Sequence, residues 1–170
     1  SRPSQPLDPV FCTVGPTFVI HKDVEIFIQI GERKGELNVS FIRIPERLGY
    51  GPNCVWPIVT KVGPGERGAY YTKVHVESQY DYPYTLGDFF RVWGAWMGYP
   101  APVHFGSDGV SYYRSASVDL LIHHGPVIDP WNNIYSHTER SIQYERYVMR
   151  AGDYIEIIVH TPYPTLSDPY

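Results

Sequence analysis

The sequence is short of charge, and of lysine above all. Asp, Glu, Lys and Arg make up 19% of its 170 residues, below the usual quarter. Only Lys22, Lys34, Lys61 and Lys73 stand against ten arginines. The formal net charge of −4 excludes a protein driven onto nucleic acid by phosphate contacts. There is no basic arm either, since Arg2 is the only charged residue before Asp8. No apolar run approaches the roughly 18 residues of a membrane span. Cysteine is scarce: Cys12 and Cys54 permit one disulfide without requiring it, so cysteine usage leaves the redox compartment open. No G-x-S-x-G, P-loop or G-x-G-x-x-G occurs, and there is no internal repeat or low-complexity tract.

What is present fits one domain with a core of its own. Hydrophobic residues reach 43%, too many for a disordered chain. Tyrosine (15), proline (16) and glycine (15) exceed ordinary usage, as expected of an all-β domain with long loops. Abundant tyrosine with little lysine also suits surfaces that partners cover. Ser1 in place of an initiator Met leads to the expectation of release from a longer precursor.

One stretch has a helical period. In residues 85–97 (TLGDFFRVWGAWM), Leu86, Phe89, Phe90, Trp93 and Met97 form a single apolar stripe. Thr85 and Asp88 stand at capping-box spacing, Asp88 suits the positive end of the helix dipole, and Gly98-Tyr99-Pro100 ends the pattern. Gly87 and Gly94 each cost about 1 kcal/mol relative to Ala, which predicts a helix held by docking on something large.

The rest reads as strands and loops. Residues 1–16 carry four prolines and read as an extended arm, over a neighbour or over the domain's own surface. Residues 17–21 and 24–30 are expected as two strands broken at Lys22-Asp23; in the second, Val24, Ile26, Ile28 and Ile30 share a face, with Phe27 out of place among Glu25 and Gln29. A turn at 31–35 and a returning strand over 36–44 would close a hairpin, with a parity switch at Phe41-Ile42. Residues 45–68 form a long loop region with a short edge strand within 55–62. Residues 69–77 alternate as a strand, with Tyr71, Lys73, His75 and Glu77 on one side. A turn at 106–109 and strands at 110–113 and 117–123 follow, then a loop over 125–137. Alternation over 142–149 predicts another strand, and a turn at 150–153 leads into a last one through Ile155, Ile157 and Val159. Residues 162–170 read as an extended tail.

Candidate chemistry is sparse. His123 and His124 point to opposite strand faces, so they share a ligand only if the strand bends. His104 or the His75/Glu77 pair could join one of them, but no zinc or two-His-one-carboxylate spacing emerges. These histidines therefore read as polar or interface groups, of the residue type suited to sensing pH. Cys54 lacks a nucleophile's signature and reads as a buried structural thiol. The expectation is no enzyme, with no catalytic residue, cofactor or metal ligand. Asn38-Val39-Ser40 is a glycosylation acceptor triplet. With exposed Trp56, Trp131 and the tyrosines stacking on sugar rings, it would fit a secreted carbohydrate-binding module.

Residues 150–159 (RAGDYIEIIV) are similar to the turn that precedes a strand in blue-copper domains, but the Cys, His and Met ligands after it are missing. Residues 147–164 (YVMRAGDYIEIIVHTPYP) resemble the closing strand of picorna-like virus capsid proteins, and the helix over 84–93 resembles a helix of those subunits. The resemblance implies a structural coat subunit in the virion, released from a polyprotein and packed against copies of itself and other shell proteins. The fold expected is all-β: a two-sheet antiparallel sandwich of jelly-roll type over residues 17–161, with one helix near 85–97.

Overall fold

The computed structural model describes residues 10–14, 18–30, 40–68, 71–103, 117–124 and 137–160. Among the described residues, seven strands and one α-helix follow in the order β1 (Ile20–Ile30), β2 (Ser40–Ile42), β3 (Ile58–Val59), β4 (Thr72–Ser78), α1 (Leu86–Met97), β5 (Ser117–His124), β6 (His137–Ser141) and β7 (Tyr154–His160). The described strands form one open sheet in the order β3-β4-β1-β7-β5-β6, with β2 also paired to β1. A second sheet facing this one is not found among the described residues. The sheet is mixed, because β1 and β7 run parallel while every other described pair is antiparallel. This departs from the all-antiparallel expectation. Alternation marks which face a strand buries but carries no information on the direction of its neighbour.

β1 is the spine. It pairs with β4 through Ile20–Ile26 and with β2 through Ile28–Ile30, while β7 occupies its opposite edge from Glu25 onward. The expected break at Lys22-Asp23 does not occur. Both residues stay in register with Val76 and His75. Their side chains also find partners, Lys22 Nζ on Met149 O and Asp23 on His75. The hairpin between β1 and β2 is present, and Phe27 packs on Phe41 at 5.3 Å between ring centroids. Phe27 is therefore buried on the second face, not misplaced there.

The first face carries Val24, Ile26, Ile28, Val74, Val76, Leu120, Ile122, Ile155, Ile157 and Val159, all buried in one core with the helix residues Leu86, Phe89, Phe90, Val92 and Trp93. Met97, expected in this stripe, is 44% exposed at the helix end. Thr85 caps the helix as its sequence indicates: its Oγ1 accepts from Asp88 N, and Asp88 Oδ2 accepts from Thr85 N. Gly98 ends it in the left-handed conformation. The two helix glycines are explained by close approach. A Cβ on Gly94 would stand 2.5 Å from Ala101 O, and one on Gly87 would stand 2.8 Å from Glu145 O.

The strand expected over 142–149 is replaced by a 3-10 turn at Tyr144–Arg146, with Tyr144 at φ 45° and Ile142 92% exposed. Residues after this turn clasp the helix start, since Leu86 N donates to Tyr147 O and Met149 N to Tyr84 O. The strand itself lies earlier, at His137–Ser141 (HTERS), within and just beyond the end of the expected loop. Its sequence has no apolar alternation, so only its ladder with β5 reveals it. Among the described residues no helix is long and apolar enough to cross a membrane. The expected turn at 106–109, strand at 110–113, arm residues 1–9 and tail at 162–170 lie outside the described residues.

Candidate functional site

The second face of the sheet concentrates the polar chemistry. Strand alternation sends His21, Asp23 and Glu25 of β1 to this face, and antiparallel pairing sets His21 opposite Glu77 and Asp23 opposite His75. His75 is buried with both ring nitrogens facing carboxylates: Nδ1 is 2.7 Å from Asp23 Oδ1, and Nε2 is 2.5 Å from Glu66 Oε2. Glu66 comes from the loop before β4, which folds back so that Lys73 N donates to Glu66 O. His21 Nε2 lies 3.6 Å from Asp23 Oδ1 and 3.3 Å from Glu77 Oε2. Lys61 Nζ donates to the same Glu77 oxygen at 2.9 Å. Burial works to lower the Lys61 pKa, but the hydrogen bond and charge of Glu77 outweigh it and leave it raised.

A cleft of about 520 Å³ opens beside this cluster, bordered by His21, Asp23, Glu25 and Lys73 on one side and Gly152 to Tyr154 on the other. Burial pushes the Glu25 carboxyl up, tempered by Lys73. It pushes the nearby Lys22 ammonium down, against the opposing charges of Asp153 and Asp81. On the far side, Tyr147 donates its hydroxyl proton to Asp153 Oδ2 at 2.6 Å, and Asp153 also accepts from Arg150 N.

His123 and His124 diverge as the strand geometry requires. His123 is buried, with Nε2 2.9 Å from Glu156 Oε1 and Nδ1 2.8 Å from Thr138 Oγ1. His124 stacks on His137 near Glu139. The structure therefore does not gather His123, His124 and His75 into one set, and His104 lies outside the described residues. The cluster it does build joins His75 to His21, Asp23 and Glu66. These spacings carry no motif in sequence; the signal was the shared parity of His21 and Asp23 on one strand and of His75 and Glu77 on another.

A second concavity lies at the sheet edge. Cys12 and Cys54 form the disulfide that the sequence left open, so Cys54 is a bridged cysteine and not the buried structural thiol expected. The bridge holds residues 10–14 to the 54–55 segment, where Thr13 and Val55 exchange backbone hydrogen bonds. Beside it, Phe11, Phe18, Tyr50, Val55, Trp56 and Tyr80 line a groove of about 270 Å³, with Thr13, Glu77, Ser78 and Gln79 supplying polar atoms. Trp56, expected to be exposed, is half-buried with part of its surface against the core. Trp96 Nε1 donates to Tyr50 O and fixes that wall. Trp131 and Asn38 lie outside the described residues. No family model, no curated protein and no solved structure matches this chain.

Proposed function

We propose that the chain is a noncatalytic, secreted binding module whose aromatic groove holds a carbohydrate. The observation that carries this reading is the groove itself: the aromatic residues Phe11, Phe18, Tyr50, Trp56 and Tyr80 line it together with the polar residues Thr13, Glu77, Ser78 and Gln79. Flat apolar surface with a few placed polar groups is what a sugar ring needs, through stacking on its C–H face and hydrogen bonds to its hydroxyls. The Cys12–Cys54 bridge supports an oxidising compartment and fixes one wall of the groove. The test is a glycan array followed by titration of the best ligand. Retention that Trp56→Ala weakens at least about tenfold supports the reading, and no retention on any glycan ends it.

A subunit of a virus capsid or similar shell is the second reading. It is favoured by the exposed apolar side chains Val14 (81%) and Val19 (67%), and by β6, whose outer edge has no strand partner among the described residues. Exposed edges and apolar patches of this kind are covered when subunits associate. In full, that reading includes closure into a two-sheet jelly roll. Sedimentation at high protein concentration tests it, and a persistent monomer removes it.

A further inference from the structure

We propose that His21, Asp23 and His75 form a binding site for a borderline divalent metal ion, zinc foremost. Each offers one donor atom, and the three atoms lie within 4.8 Å of one another. Donor atoms on a tetrahedral zinc ion at ordinary bond lengths stand about 3.3–3.4 Å apart. His21 Nε2 and Asp23 Oδ1, at 3.6 Å, are already close to that. His75 Nδ1 and Asp23 Oδ1, at 2.7 Å, need only open by a fraction of an ångström as the ion replaces the proton between them.

An independent feature points the same way. A metal-ligating imidazole characteristically donates its other N–H to a carboxylate, which fixes the tautomer and aims the lone pair. Glu66 Oε2 stands 2.5 Å from His75 Nε2, in that orienting position. With Nε2–H given to Glu66, the Nδ1 lone pair points toward Asp23 and His21. The local charge is also unbalanced. Among the described ion pairs, Asp23, Glu66 and Glu77 have Lys61 as their one lysine or arginine partner, which bonds Glu77 and acts on Glu66 through space. A divalent ion offsets that excess.

Two imidazoles and one carboxylate suit zinc and its neighbours better than calcium or magnesium, which prefer oxygen alone. The fourth position faces either Glu77 Oε2, 3.3 Å from His21 Nε2, or the cleft of about 520 Å³ that His21 and Asp23 border. The ion would cross-link β1 to β4 and keep one position for water or for an oxygen of a molecule in that cleft. The aromatic groove shares Glu77 with this neighbourhood, but His21, Asp23 and His75 do not line it, and the metal site stands whether or not a sugar binds there.

The test uses the full chain, stripped with chelator and dialysed, then titrated calorimetrically with zinc chloride and optically with cobalt(II). The expected result is one ion per chain and a cobalt visible band of four-coordinate intensity. His21→Ala removes an exposed ring and should keep the native circular dichroism while losing at least about tenfold in affinity. Glu66→Gln should lose about 10–100-fold. The double variant His124→Ala/His137→Ala, which empties the other histidine pair, should bind as the parent does. No saturable zinc binding below millimolar concentration overturns the proposal. So does binding that survives His21→Ala, or binding abolished only by the His124/His137 double variant.

Discussion

His123 and Glu156 face each other across β5 and β7 with Nε2 2.9 Å from Oε1, and both side chains are at most 5% exposed. A pair this buried is stabilising only while both members remain. Removing one leaves an uncompensated polar group and costs about 3–5 kcal/mol, whereas replacing both with apolar residues of similar volume is often neutral. His123→Leu alone should therefore lower the unfolding free energy markedly, and His123→Leu/Glu156→Leu should recover much of the loss. Urea denaturation of the two single variants and the double variant checks this. A loss in the double variant equal to the sum of the two single losses would show that the pair contributes nothing as a pair.

His75 is the other buried histidine among the described residues, flanked by Asp23 and Glu66. His75→Leu leaves Glu66, 19% exposed, without its partner, while Asp23 at 44% can turn to water; the loss should be about 1–3 kcal/mol in metal-free protein. A cycle with Glu66→Gln should show coupling of roughly 0.5–3 kcal/mol. Additive losses would mean that the short contact carries no energy.

Gly94 sets helix propensity against packing. Propensity alone makes Gly94→Ala stabilising by about 1 kcal/mol, but the new methyl would meet Ala101 O at 2.5 Å. Overpacking typically costs about 1–3 kcal/mol, so the variant should be neutral to destabilised and never more stable. At exposed Ala95, Ala95→Gly should show the plain propensity loss of about 1 kcal/mol. Thermal melts of both variants decide it, and a raised Tm for Gly94→Ala would refute the close approach.

The Cys12–Cys54 bridge spans 42 positions of sequence. Loop-closure entropy assigns such a bridge about 4 kcal/mol, with measured values commonly lower. Cys12→Ser/Cys54→Ser should lose roughly 2–4 kcal/mol, and proteolysis should then cut within residues 10–14, whose backbone is tied to Val55. An unchanged denaturation midpoint under reducing conditions would contradict this.

Alkaline pH should weaken the fold through Tyr147. Burial first, then the hydrogen bond to Asp153, holds its hydroxyl well above the ordinary value near 10, against Arg150. A raised folded-state pKa means the native state keeps a proton that the unfolded chain loses. The stabilisation is complete below about pH 10 and is lost as pH climbs toward the folded value. Unfolding free energy should fall as pH rises above about 10, less steeply in Tyr147→Phe. The residual slope includes Tyr84, whose hydroxyl is also pushed up by burial. Parallel slopes in parent and variant would exclude Tyr147 as the source.

The helix was readable from Thr85 to Gly98 because its cap, its stripe and its stop are all local, and local geometry repeats every 3.6 residues. The alternating rows of β4, of β7 and of β1 from Val24 onward were equally plain, since each buries one face against a single core. Sequence alone thus determined which residues are strand and helix over most of the described chain, and which of their faces lie inside. The polar strand His137–Ser141 escaped because its identity rests on hydrogen bonds to β5, not on side-chain pattern. The parallel neighbour of β1, the single described sheet and the meeting of His21, Asp23, Glu66 and His75 were decided only by the tertiary structure. Those depend on which distant segments pair and in which direction, and backbone ladders, identical for every residue type, leave no mark on the order of the side chains.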